Sequence, residues 1–92
     1  MATVSVKIPT PLRKFTNGQD IVSGTGETVL DVVNDVETRS PGLKTKLVDD
    51  DNRLRRFINI YAGEEDVRFL QGLATPLKDG DVLSVIPAIA GG

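Results

Sequence analysis

Two residue types that carry much of protein chemistry are missing from this 92-residue chain, which has no cysteine and no histidine. With them go thiolate nucleophiles, disulfides, cysteine-based zinc sites, the usual general base and the commonest metal ligand. Ser-His-Asp and Cys-His arrangements are therefore impossible, and any reaction must use a different group. One such group stands at the end of the sequence, in Ala88-Ile89-Ala90-Gly91-Gly92, where a backbone carboxylate follows two glycines. Lacking Cβ atoms, Gly91 and Gly92 let the backbone thread a narrow channel and take φ values closed to other residues. The five residues from Ala88 span roughly 17 Å when extended, enough to enter another protein's active site while the body stays outside. A carboxylate delivered in this way is an acyl group awaiting activation. On the dipeptide alone, a frayed end of small residues is the plainer reading.

Other candidate sites are weaker. Asp49-Asp50-Asp51-Asn52 offers acidic oxygens, but it lacks the glycine and the distal glutamate of an EF-hand loop, so no metal site is expected there. Arg53-Leu54-Arg55-Arg56 reads as a solvated edge of snorkelling side chains in preference to a docking patch. Gly24-Thr25-Gly26 continues into neither a dinucleotide fingerprint nor a phosphate loop, and no bound cofactor is expected. A net charge of −2 argues against general nucleic-acid affinity, which needs a basic face to displace counterions. The apolar runs are too short for a membrane span, and the alternating start Met1-Ala2-Thr3-Val4-Ser5-Val6 lacks the features of a secretory signal. A cytoplasmic location follows as the expectation.

The elements that must position the terminal carboxylate are legible from periodicity. Thr3 to Ile8 alternates polar and apolar residues and predicts a strand with one buried face, ended by Pro9. Leu12 and Phe15 anchor the next loop, and Asn17-Gly18 supplies a tight turn before a second strand near Gln19 to Ser23, broken by Gly24-Thr25-Gly26. Thr28 with Asp31 forms a helix-starting capping box. The stripe Val29, Val32, Val33, Val36 then predicts one helix face against a sheet, ending near Arg39. Ser40-Pro41 starts a short second helix through Leu47, with Ser40 as its cap. Strands follow at Phe57–Ala62 and Val67–Phe69, then an irregular Gln71–Pro76 and a turn at Pro76–Asp81. The last strand, Val82–Ile86, is strongly apolar, stopped by Pro87, and suits a central, best-buried position. The whole is a single small α+β roll: a mixed sheet of four to five strands, one main helix and a short second helix. Residues 1–87 are the domain, and 88–92 a flexible tail.

The strand-helix-strand order, Asp79-Gly80-Asp81 before the final strand, and Ile86-Pro87-Ala88-Ile89-Ala90-Gly91-Gly92 together resemble the ubiquitin-like sulfur carriers of the MoaD/ThiS family. The resemblance covers essentially the whole chain. Arg56-Phe57-Ile58-Asn59-Ile60-Tyr61, Glu65-Asp66-Val67-Arg68-Phe69 and Gly72-Leu73-Ala74-Thr75 look especially like the branch that serves cysteine biosynthesis. The resemblance implies a β-grasp fold and a carrier that is not itself an enzyme. An E1-like adenylyltransferase/sulfurtransferase uses ATP to adenylate Gly92, and sulfur transfer makes a thiocarboxylate. Gly92 then bears the sulfur, Gly91 gives clearance beside it, and Pro87, Ala88, Ile89 and Ala90 dock in the partner's channel. The implied acceptor is a PLP-dependent cysteine synthase, with a metalloprotease releasing cysteine, or else the large subunit of molybdopterin synthase. Phe57, Ile58 and Arg68 read as core or docking residues, with core favoured for the apolar ones. A modifier that forms isopeptide bonds through Gly92 and an inert interaction domain are the alternatives.

Overall fold

The computed structural model describes residues 1–87. Its first strand, β1 (Ala2–Lys7), follows the predicted alternation, with Ala2, Val4 and Val6 buried and Thr3, Ser5 and Lys7 exposed. A 3₁₀ turn at Thr10–Thr16 occupies the loop, inserting Leu12 into the core, and Asn17 and Gly18 take the positive φ of 56° and 83° that the turn demands.

The next strand, β2 (Ile21–Gly26), runs straight through the glycines expected to break it. The reason is tertiary. A Cβ on Gly24 would stand 2.7 Å from Val32 Cγ1, and one on Gly26 would stand 2.5 Å from Asp31 Cβ and 2.8 Å from the Val32 nitrogen. These glycines are the seat on which the main helix rests, not a boundary. That helix, α1 (Val29–Arg39), begins where predicted: the Thr28 hydroxyl accepts from the Asp31 N–H at 3.2 Å. Val29, Val32, Val33 and Val36 are all buried against the sheet. With four β-branched residues in one stripe, packing more than intrinsic propensity holds the helix.

Ser40 does not cap the second helix. It closes the first, its N–H donating to the Val36 carbonyl. The short α2 (Leu43–Leu47) follows Gly42, whose φ of 96° puts it in the left-handed region. The capping is done from a distance by Glu37 of α1, whose carboxylate accepts from the N–H groups of Gly42 at 3.0 Å and Lys44 at 2.8 Å. Sequence proximity favoured Ser40, whereas the fold brings a longer acceptor.

Three further strands join the sheet among the described residues. β3 (Ile58–Ala62) starts one residue later than expected, leaving Phe57 outside. β4 is only Glu65–Asp66. The predicted strand Val67–Phe69 is instead a 3₁₀ turn, because the Asp66 carboxylate accepts from the Arg68 N–H at 2.9 Å and offers the backbone a local alternative to a ladder. Within the irregular stretch, Gly72–Ala74 forms another 3₁₀ turn. β5 runs Val82–Pro87, one residue longer than the predicted Val82–Ile86, with Pro87 as its last residue.

The strand order is β2-β1-β5-β3-β4. β5 is therefore central, parallel to β1 and antiparallel to β3. It is not the best-buried strand, however. Only Leu83 and Val85 are buried, and Ile86 is 46% exposed, because α1 covers a single face of the sheet. The core lies between that face and the two helices, with Val29, Val32, Val67, Ile60 and Leu83 at 1% exposure or less.

Candidate functional site

Of the residues singled out by sequence, Ala88, Ile89, Ala90, Gly91 and Gly92 lie outside the described residues. Pro87 is the last one described, and it is the last residue of β5. Its ladder partner is Ile58, the first residue of β3, and Ile86 is paired with Asn59 beside it.

The surroundings of that strand end follow from strand parity. Leu83 and Val85 point to the core, so Val82, Ser84 and Ile86 point to the opposite, uncovered face. Register then sets Lys7 of β1, Ser84 of β5 and Tyr61 of β3 in one row across this face, with Ile86 and Asn59 in the next. Ile58 is buried in the core at 7% exposure, as expected. Phe57 is not: at 61% exposure its core reading fails, because it stands one residue before the ladder and carries the parity of the outer face.

Arg68 ties the strand end together. Its guanidinium donates to the Asn59 carboxamide oxygen and, at 2.7 Å, to the Arg55 carbonyl. Arg55 in turn donates through Nε to the Thr45 carbonyl at 2.6 Å. Arg53 and Arg56 are solvated, as the sequence suggested, but Arg55 and Arg68 are held in place. Phe69 at 86% exposure and Leu70 at 43% follow directly in the chain. Exposed aromatic and aliphatic side chains beside fixed arginines are the composition of a protein-docking surface. Sequence reasoning passed over Phe69 and Ile86 as docking residues. The signal was present for Ile86, which has the opposite parity to Leu83 and Val85.

The acidic run is engaged within its own loop. The Asp49 carboxylate accepts from the N–H groups of Asp51 and Arg53, at 2.9 and 3.0 Å, and so shapes its own loop. Among the described residues no three acidic side chains come close enough to hold a metal ion, and no helix is long and apolar enough to cross a membrane.

Comparison with known proteins places this geometry. The family model described as the ThiS family matches residues 6–92. The chain belongs to the ThiS family. It is 47% identical over 91 residues to the sulfur carrier protein CysO of Mycobacterium tuberculosis, a match that covers 97% of this chain and 98% of that one. It is 38% identical over 65 residues to small archaeal modifier protein 3 of Haloferax volcanii, covering 71% and 70%. Among solved structures, the crystal structure of the Amycolatopsis orientalis BexX/CysO complex matches with a TM-score of 0.92 at 50% identity, over 97% of this chain and 99% of that one. Small archaeal modifier protein 1 of Methanosarcina acetivorans matches with a TM-score of 0.86 at 33% identity, over 100% and 98%. The roll is thus the ubiquitin-like β-grasp fold, with five strands in its mixed sheet and two α-helices among the described residues, and Pro87 at the end of the central strand.

Proposed function

We propose that this ThiS-family chain is a sulfur carrier for cysteine biosynthesis, acting as a protein substrate and not as an enzyme. The observation that carries the reading is the near full-length identity of 47% to the sulfur carrier protein CysO. In this reading an E1-like partner binds ATP, and the Gly92 carboxylate attacks the α-phosphate, releasing pyrophosphate. Hydrosulfide sulfur then attacks the acyl carbon of the adenylate, AMP leaves, and the product is a thiocarboxylate. Sulfur is a softer and stronger nucleophile than the oxygen it replaces, so the reactive group is built on the backbone of a chain that has no Cys or His. The thiocarboxylate displaces the leaving group of an activated serine on a PLP-dependent synthase, and a metalloprotease releases cysteine from the carrier.

The domain's task is presentation. The central strand ends at Pro87, directly before the reactive segment in the sequence, and Phe57, Phe69 and Ile86 with Arg68 give the partner a surface to grip while residues 88–92 enter its channel. Partner binding on this fold is supported by the Amycolatopsis orientalis BexX/CysO complex.

The test is intact-mass analysis after incubation with an E1-like enzyme, ATP and sulfide. The expected product has one oxygen exchanged for sulfur at Gly92. A chain that keeps its mass, while a control carrier is converted by the same enzyme, overturns the reading. A second reading is favoured by the identity to small archaeal modifier protein 3: Gly92 joined to lysine amines by isopeptide bonds. It predicts higher-mass conjugates that vanish when Gly91 and Gly92 are deleted. Molybdopterin synthesis is the remaining acceptor pathway, and it predicts thiocarboxylate consumption by the molybdopterin synthase large subunit but not by a cysteine synthase.

A further inference from the structure

The edge of the sheet farthest from β4 carries an unusual form of protection. β2 is the terminal strand, and among the described residues nothing pairs with its outer side. Ile8 N–H donates to the Asp20 carbonyl at 2.7 Å, and the register continues Val6 with Val22, Val4 with Gly24 and Ala2 with Gly26. The alternation of an antiparallel ladder therefore turns the N–H and C=O groups of Ile21, Ser23 and Thr25 toward the free edge. Such an edge is a template for another strand, and proteins normally blunt it with a charge, a proline or a bulge in the strand itself. Ile21-Val22-Ser23-Gly24-Thr25-Gly26 has no charged residue and no proline, and Ile21 is 49% exposed.

Protection comes from the helix instead. Arg39 Nη2 donates to the Ser23 carbonyl at 2.5 Å, and the Thr25 N–H donates to Asp35 Oδ2 at 2.9 Å. Asp35 and Arg39, one helical turn apart, are themselves paired at 3.1 Å. The two side chains supply one acceptor and one donor where a neighbouring strand would supply its own. They reach the edge across an open cleft of about 560 Å³ between β2 and the C-terminal half of α1. The clasp is weakly held, since the Arg39 side chain is 55% exposed and exposed pairs of this kind contribute little.

We infer that the β2 edge is a strand-addition surface whose partner is β2 of a second copy of this chain, and that the Asp35–Arg39 clasp keeps it closed. The strand suits its own copy. Paired antiparallel about Ser23, it sets Ile21 opposite Thr25 of the second copy and Ser23 opposite itself, with no like charges facing. The two sheets would then run on as one. This inference is independent of the sulfur-carrier reading, because it concerns the opposite edge of the sheet from β4 and leaves Pro87 untouched.

The experiment is light scattering at sub-millimolar concentration on Asp35→Ala/Arg39→Ala, with far-UV circular dichroism to confirm folding. The wild-type chain should run at its 9.9 kDa, and the folded double variant above it, with a mass that rises toward twice that value as concentration is raised. Adding Ser23→Lys, which opposes two ammonium groups at the symmetry axis, should weaken the dimer at least tenfold and restore the monomer. Non-specific association would not respond to that one substitution. A folded double variant that stays monomeric, a dimer indifferent to Ser23→Lys, or a wild-type chain already dimeric overturns the inference. If the double variant loses its dichroism, Arg39→Met alone decides the matter: it has no donor for the Ser23 carbonyl, and a folded variant that stays wholly monomeric overturns the inference.

Discussion

Replacing Gly26 by alanine tests how closely α1 is seated on β2. The backbone there is not in the left-handed region, so the new methyl meets a purely steric obstacle. It would lie 2.5 Å from Asp31 Cβ, 2.8 Å from the Val32 nitrogen and 2.9 Å from the Asp31 carbonyl carbon. None of these atoms is the end of a flexible side chain. Relief means lifting the first turn of α1 until 2.5 Å becomes the 3.4 Å of an ordinary contact, which loosens Val29 and Val32, both at 0% exposure. Overpacking of this kind costs about 1–3 kcal/mol, of which a Gly→Ala change returns about 0.4–1 kcal/mol through the unfolded chain. A net loss of about 1.3 kcal/mol is expected, a sizeable share of the roughly 5–14 kcal/mol available to a domain of this size. In urea denaturation the midpoint should fall by roughly 1 M, and the melting temperature by about 5–10 °C. Gly24→Ala is the internal control. Its Cβ meets the methyl tips Val32 Cγ1 at 2.7 Å and Val36 Cγ2 at 3.0 Å, which yield more readily than backbone, so it should cost less. An unchanged midpoint for Gly26→Ala, or a larger loss for Gly24→Ala, would refute the seating of α1 described above.

Two further outcomes follow from the clasp and from the docking face. The Arg39 guanidinium, and after it the Thr25 N–H, hold the Asp35 carboxyl below the usual carboxylate range. Its folded pKa lies below the unfolded one, so the unfolded chain binds more protons as acid is added. The stabilisation is then complete above about pH 4 and lost as pH falls through the folded value. Asp35→Asn should therefore lose up to about 0.5 kcal/mol at neutral pH, since Arg39 is half exposed, with the gap to wild type closing in acid. Urea titrations across pH measure this, and a gap that stays constant into acid contradicts it. For the docking face, Phe69→Ala removes a side chain that is 86% exposed, so stability should move by no more than about 0.5 kcal/mol while loading by the E1-like enzyme slows. Unchanged loading kinetics would remove Phe69 from the docking surface.

The parts of this fold governed by local periodicity were readable in the sequence. The valine stripe and Thr28 cap of α1, the alternation of β1 and the central place of the last strand all follow from spacing and composition. The misreadings share a cause, which is that a distant residue decides a local question. Gly24 and Gly26 look like a break until α1 is known to need their missing Cβ atoms. Ser40 looks like a cap until Glu37 is seen reaching the same turn. Val67–Phe69 looks like a strand until Asp66 turns its backbone aside. The candidate site divides in the same way. Pro87 at the end of the central strand was legible, whereas the exposure of Phe57 and Phe69 depends on where β3 begins and how the Arg68 turn is tied.

The central position of β5 has a mechanical consequence. A pull on the chain beyond Pro87 acts along the axis of a strand bonded on both sides, to β1 through Ser5, Val6 and Lys7, and to β3 from Ile58 to Ala62. The hydrogen bonds lie across the line of force, so they share the load and must fail together instead of being peeled one at a time. The sheet is loaded in shear at Pro87. A pull applied at Pro87 must therefore break the ladders to β1 and β3 in concert.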